Sequence, residues 1–144
     1  MTHQEKALKY FKDGFHCSQA VFASYAEECG FSEEQALKLG TCLGAGMRMG
    51  EVCGACTGAL MVLGLVHDDP KNRMAANENT KRFLSAFRDA NGSYLCNDLL
   101  GCDIRTPEGV QYARGHHLFT EFCPKMVVSA VEILEEMLAE QKEG

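Results

Sequence analysis

The chain has 144 residues, 46% of them hydrophobic, which is the size of one ordinary domain with its own core. Its formal net charge of −6 comes without a cluster of basic residues, and this argues against a nucleic-acid partner. The N-terminal segment lacks the apolar run of a signal peptide, and no stretch is long enough to span a membrane. We therefore expect a cytoplasmic protein without membrane contact.

The chain contains eight cysteines. In the cytoplasm they should be mostly reduced, because that compartment keeps thiols from pairing. Metal ligation or catalysis is then a better explanation for them than a disulfide framework.

Capping signals predict three helices in the first forty residues. Thr2 is followed by glutamate three residues later, which is a capping box for a helix that ends near Gly14. Ser18 is the expected N-cap of a second helix, which Gly30 terminates. A third helix opens at Ser32 and also has a capping partner three residues later.

A glycine-rich stretch with five glycines runs from Gly40 to Gly54. Such a density predicts a loop with unusual backbone angles or a close approach to a bound group, and its spacing is not that of a dinucleotide fingerprint. The following segment, 59–66, is apolar on all sides and predicts a central buried helix. Gly54 and Gly58 would let another helix pack closely against its first turn.

Four more helices are expected in the second half of the chain. Asp69, followed by proline, is the predicted start of a long helix that ends at Gly92. Ser93 caps a short helix, and Thr106, again followed by proline, begins the next one. Cys123 opens the last helix. Because no alternating strand is present, we predict an all-α fold, a single-domain bundle of about six or seven helices over residues 1–144.

Four cysteines each fall at a predicted helix N-terminus or within one turn of it: Cys17, Cys53, Cys96 and Cys123. The positive end of a helix dipole favours a thiolate, which is both the nucleophile and the metal ligand. If the four converged, they would form an all-sulfur site that suits an iron–sulfur cluster or zinc.

The remaining cysteines have other settings. Cys56 is close enough to pair with Cys53, and this C-x-x-C at a helix start is the geometry of dithiol oxidoreductases. Cys29 and Cys42 lie at helix ends and are interpreted as small core residues, whereas Cys102 lies in a loop.

Several other side chains are candidates for a role beside these cysteines. A protonated His16 would lower the pKa of the adjacent Cys17 thiol. Arg48, in the glycine-rich loop, would either pair with a bound anionic cluster or substrate or be a solvated loop residue. His116 and its neighbour are interpreted as a surface pair. The chain's other candidates are methionines predicted to fill the core, namely Met47, Met49 and Met61.

Most of the chain resembles the C-GCAxxG-C-C family of putative redox-active proteins. The resemblance lies in four blocks, the sequence Phe-His-Cys-Ser-Gln-Ala-Val at 15–21, the glycine-rich block 50–64, the sequence at 96–103 and the Cys-Pro-Lys at 123–125. The family's four pattern cysteines then fall on Cys17, Cys53, Cys96 and Cys123. The resemblance implies a redox role and a bound metal or iron–sulfur centre, and it places Cys56 and Cys102 at variable positions.

Three functions remain open at this point, and the sequence does not decide whether the protein is an enzyme. The first is a redox protein in which the four pattern cysteines hold an iron–sulfur cluster, or alternatively zinc, for electron transfer or redox sensing. The second is a metal-free thiol–disulfide oxidoreductase that uses Cys53 and Cys56. The third is a zinc-stabilised binding module. A redox partner protein and a homodimer are the expected partners.

Overall fold

The computed structural model describes residues 1–143, with side chains described through residue 141, and this part of the chain is all-α as predicted. It contains eight α-helices, one more than the upper count expected, although each of the eight has a counterpart among the helices predicted one by one. Their bounds are α1 His3–Lys12, α2 Cys17–Ser24, α3 Glu33–Leu39, α4 Gly54–Leu65, α5 Arg73–Asn91, α6 Cys96–Leu100, α7 Pro107–Gly115 and α8 Cys123–Glu143.

Three helix starts follow their predicted capping signals. The Thr2 hydroxyl accepts a hydrogen bond from the backbone of the first turn of α1, and Ser32 does the same for α3. The Thr106 hydroxyl caps α7, whose first residue is the expected proline. These caps depend only on residues within one turn, which is why the sequence predicts them well.

Ser18 does not cap α2, contrary to expectation. The helix begins at Cys17 with His16 at the N-cap, and the side chain of Gln19 accepts a hydrogen bond from the His16 backbone. Ser18 is fully buried, and its hydroxyl donates to the carbonyl of Gly40 at 2.8 Å. The long-range bond therefore replaces the local one.

The start of α5 was also predicted too early. The helix begins at Arg73, and the Asn72 side chain accepts from its first turn at 3.2 Å. Asp69 instead accepts from the backbone of Lys71 and closes a turn before the helix. The predicted end of α5 at Gly92 is confirmed, since this residue adopts the left-handed conformation of a helix C-cap.

Helix α2 lies at the centre of the bundle and packs against α1, α3, α4 and α8. All of its residues after Cys17 are buried. Helix α4, predicted to be the central one, buries one face against α2, α5 and α8 but exposes Gly64 and Leu65 on the other.

The close packing of α2 on α4 depends on two glycines, as predicted. A Cβ added at Gly58 would lie 2.6 Å from the carbonyl oxygen of Ser18, and one at Gly54 would lie 2.5 Å from the Cys17 sulfur. The absence of side chains at these positions lets the two helix starts meet, and so sets the depth at which the Cys17 thiol sits.

A smaller core cluster lies beside the main one. It consists of Cys96, Leu100 and Ile104, with half-buried residues of the 118–123 segment packed against it. None of the described helices is both long and apolar enough to cross a membrane.

Candidate functional site

A two-residue backbone pairing joins the start of α4 to the start of α6. Val52 and Leu95 form an isolated antiparallel bridge. On either side of it, the N–H of Cys53 donates to the carbonyl of Tyr94 at 2.8 Å, and the N–H of Cys96 donates to the carbonyl of Glu51 at 2.6 Å. Two cysteines that are more than forty residues apart in sequence are thereby fixed on one side of the molecule.

The Cys17 thiol meets Cys53 where α2 crosses α4. Cys17 and Cys56 both lie close enough to Cys53 for the neighbouring sulfurs to affect its pKa. The backbone N–H of Ala45 lowers the pKa of Cys17 from the other side. Three thiols therefore lie side by side where the two helix starts cross.

A left-handed turn in the glycine-rich stretch flanks these thiols. Ala45, Gly46, Met47 and Arg48 all have φ values between 55° and 62°. A side chain at Gly46 would meet the backbone of Glu51 at 2.4 Å, so this position accepts only glycine. Consecutive left-handed residues other than glycine are costly, by roughly 1–2 kcal/mol each. Such strain is typical of functional sites, and here it accompanies Arg48.

The fourth cysteine enters from the far end of the chain. Cys123 is the first residue of α8 and follows a short helical turn, Leu118–Phe122, which begins after a left-handed residue at His117. The half-buried Cys123 packs against the small core cluster that contains Cys96.

All four pattern cysteines line a single cavity of about 310 Å³. Its floor is sulfur and apolar surface, with Cys53 and Cys96 buried. Its rim includes three exposed residues that carry or can carry positive charge, namely His16, Arg48 and Arg114. The site thus assembles one cysteine from each of four helix starts: α2, α4, α6 and α8.

The pKa values of all four thiols are raised, whereas their positions at helix starts predicted lowered values. Burial, followed by the neighbouring Cys17 sulfur, raises the pKa of Cys96 and of Cys123 to about 12. The neighbouring Cys53 thiol, followed by burial, raises the pKa of Cys17 well above its usual value. For Cys53, the neighbouring Cys17 thiol lowers the pKa, but the neighbouring Cys56 thiol and burial outweigh it. In the metal-free cavity, all four are therefore protonated thiols at neutral pH.

The four thiols are donors that could hold a soft, sulfur-bound metal or cluster. Four thiols around one cavity are the ligands that iron–sulfur clusters and zinc prefer. Within residues 1–141, however, no three His, Cys, Asp or Glu side chains are grouped tightly enough to hold a single metal ion. A zinc ion requires sulfurs at ~2.3 Å from one point, whereas a cluster spreads its ligands over several iron atoms.

The other cysteines lie outside this cavity. Cys56 is fully buried behind Cys53, and Cys102 is half-buried in the loop after α6. Cys29 is half-buried against the main core, in line with its interpretation as a packing residue. Cys42 is exposed, so its assignment to the core was wrong.

Two of the three methionines assigned to the core are also exposed. The exposed fraction is 47% for Met47 and 56% for Met49, because the left-handed turn holds both at the surface, while Met61 packs partly buried against the core. His116 is exposed as predicted, and its ring bonds to the carbonyl of Tyr112.

Sequence reasoning missed two contributors to the site. Arg114 lies in the last turn of α7, far in sequence from the glycine-rich stretch, and lines the same cavity. No local motif marks it. Asn97 holds the site from outside, since a Cβ at Gly50 would lie 2.1 Å from the Asn97 side chain, which also accepts from the Ile104 backbone. The positive φ of 68° at Gly50 is the signal that a glycine was required there.

Comparison with known proteins identifies a family. A family model described as "Putative redox-active protein (C_GCAxxG_C_C)" matches residues 15–137, a span that contains all four cavity cysteines. Neither a curated protein nor a solved structure matches the chain significantly. Because the matched span covers most of the sequence, the chain belongs to the C_GCAxxG_C_C family.

Proposed function

We propose that this redox protein binds an iron–sulfur cluster through Cys17, Cys53, Cys96 and Cys123, for electron transfer or redox sensing. The observation that supports the proposal is the convergence of four helix-start thiols on one cavity of about 310 Å³. Isolated buried cysteines that only filled space would have no reason to face a common opening.

A cluster is preferred to the zinc alternative and to the zinc-stabilised binding module because the cavity of about 310 Å³ has room for a group of several atoms among the four thiols. The cavity walls are otherwise mainly apolar, and such surroundings keep water from a redox centre and help set its potential.

The residues around the cavity would have distinct roles. When bound, a cluster supplies one-electron chemistry with a reduced or oxidised partner protein. The four thiols hold it as thiolates, and the N–H of Ala45 donates to the Cys17 sulfur. Arg48 places positive charge near Cys96. Hydrogen bonds and charges of this kind stabilise the thiolate form and raise the reduction potential.

Anaerobic purification with analysis of iron, sulfide and zinc tests this proposal. We expect iron and sulfide in the wild type and their loss in the Cys17→Ala, Cys96→Ala and Cys123→Ala variants. Cys42→Ala is the matched control, since this exposed cysteine lies outside the cavity and its loss should leave the iron content unchanged. A metal-free wild type, or equal iron loss in the control, would contradict the proposal.

A second candidate, metal-free thiol–disulfide exchange, is supported by the three neighbouring thiols. Cys53 touches both Cys17 and Cys56, so either pair could form a disulfide. In that reaction two thiols give two electrons and two protons to a partner disulfide, which becomes two thiols. Peptide mapping after anaerobic exposure to an oxidised partner dithiol tests it. A Cys53-linked disulfide in iron-free protein supports this function, and fully free thiols exclude it.

A further inference from the structure

The thiol cavity has an electrostatic character opposite to that of the whole chain. The protein carries a formal charge of −6, yet no aspartate or glutamate lines this cavity. Two arginines, Arg48 and Arg114, and one histidine lie on its rim. Such a concentration of positive charge around a mainly apolar floor attracts negatively charged molecules.

The two rim arginines also lack carboxylate partners. Among residues 1–141, Arg82, Arg88 and Arg105 each lie within ion-pair distance of an acidic side chain, whereas neither Arg48 nor Arg114 does. Their guanidinium groups are therefore available to a ligand. A guanidinium presents a planar set of N–H donors that matches the paired oxygens of a carboxylate or an oxyanion.

The backbone holds one of these arginines at the rim in a costly conformation. Arg48 ends the left-handed turn with φ 62°, and the following turn is braced where Gly50 meets Asn97. Arg48 lines the same cavity as the Cys96 thiol. Arg114 is positioned independently by the last turn of α7. Two separate elements thus bring a positive charge to the same opening.

We propose that Arg48 and Arg114 bind a small anion with oxygen acceptors, a carboxylate or an inorganic oxyanion, at the mouth of the thiol cavity. The inference rests on the proposed function in taking this cavity as the redox site, and it names the chemical class of the molecule that reaches it. The anion is held beside the sulfurs, between the exposed rim and the buried floor.

A pair of alkylating reagents of similar size tests this directly. Iodoacetate is anionic and iodoacetamide is neutral, and both modify thiols. In metal-free protein, mass spectrometry gives the rate at which each reagent modifies Cys17 and Cys123. At each cysteine the iodoacetate rate is divided by the iodoacetamide rate, and the result is divided by the same quotient measured at exposed Cys42. This normalised ratio cancels differences in thiol pKa, because a given thiolate meets both reagents.

We expect a normalised ratio on the order of tenfold at low salt, falling toward one as ionic strength rises. The double variant Arg48→Gln/Arg114→Gln should bring it to about one. Arg73→Gln is the matched control: Arg73 also has no ion pair among the described residues but does not line the cavity, so the ratio should stay at the wild-type value.

Competition in the wild type separates the two sources of anion. Sulfate and acetate are compared as competitors of the iodoacetate reaction at Cys17, at constant ionic strength. Stronger inhibition by sulfate identifies an oxyanion site, and stronger inhibition by acetate identifies a carboxylate site. A normalised ratio near one in the wild type, or one unchanged by the double substitution, would overturn the inference. Because iron and sulfide content is measured separately, a protein that fails to hold a cluster can still show this anion preference.

Discussion

Gly58 allows the packing of α2 on α4 to be tested without altering a cysteine. A Cβ at this position would lie 2.6 Å from the carbonyl oxygen of Ser18 and 3.2 Å from the Cβ of Val21. The Ser18 carbonyl belongs to the backbone of a buried helix, so Gly58→Ala must push α2 away. Such overpacking costs about 1–3 kcal/mol, offset by about 0.5–1 kcal/mol of improved helix propensity. The free energy of unfolding should therefore fall, by up to about 2.5 kcal/mol.

Gly64→Ala in the same helix is the matched control. Nothing lies within 4 Å of a Cβ at this exposed position, so only the propensity gain of about 0.5–1 kcal/mol remains. Urea unfolding followed by far-ultraviolet circular dichroism gives both changes from the transition midpoints, provided that the slopes agree. The reasoning is refuted if Gly58→Ala is at least as stable as the wild type, or if both variants shift in the same direction.

Two further stability measurements probe the site. Burial raises the pKa of Cys96 and Cys123 to about 12, so from near pH 9 upward the unfolded chain releases protons that the folded chain keeps. The free energy of unfolding therefore falls as pH rises from 9 toward 12. Its decrease between pH 8 and pH 10 should be smaller by about 1 kcal/mol in Cys96→Ser, whereas Cys42→Ser should show the same decrease as the wild type. Equal decreases in the two variants would contradict this. Met47→Gly should stabilise the protein by about 0.5–1 kcal/mol because it relieves a left-handed residue, whereas the same change at helical Met74 should destabilise it. Thermal unfolding of the two variants distinguishes these signs, and destabilisation by both would rule out strain at Met47.

Local signals predicted the starts of α1, α3, α7 and α8, but the caps expected at Ser18 and Ser93 were wrong, because the N-caps of α2 and α6 are His16 and Leu95. These signals act within one turn of the chain and can therefore be recognised in the sequence. Examples are the proline after Thr106, the proline after Cys123 and the glycine that ends α6. The wrong starts have a shared cause. Ser18 and Asp69 are good capping residues whose side chains make other hydrogen bonds in the fold, and no local rule shows which bond wins.

The meeting of the cysteines could not be derived from spacing alone. It depends on the bridge between Val52 and Leu95 and on the crossing of α2 over Gly54, and both are contacts between distant parts of the chain. The exposure of Met47 has the same origin. Its apolar side chain suggested a core position, but the left-handed turn that surrounds the cavity holds the residue at the surface.

The position at a helix start lowers the pKa of a thiol, whereas burial raises it. The net effect on these cysteines has a consequence for the proposed function. The dipole of a helix favours a thiolate, yet desolvation and the neighbouring sulfurs leave Cys96 and Cys123 with pKa values of about 12. The metal-free site therefore avoids holding several negative charges in one apolar cavity. Under the proposed function, a cluster must displace the proton of each ligating thiol, which couples its binding to pH. The positive charge of the rim arginines favours the loss of these protons, because it stabilises the thiolates that the cluster needs.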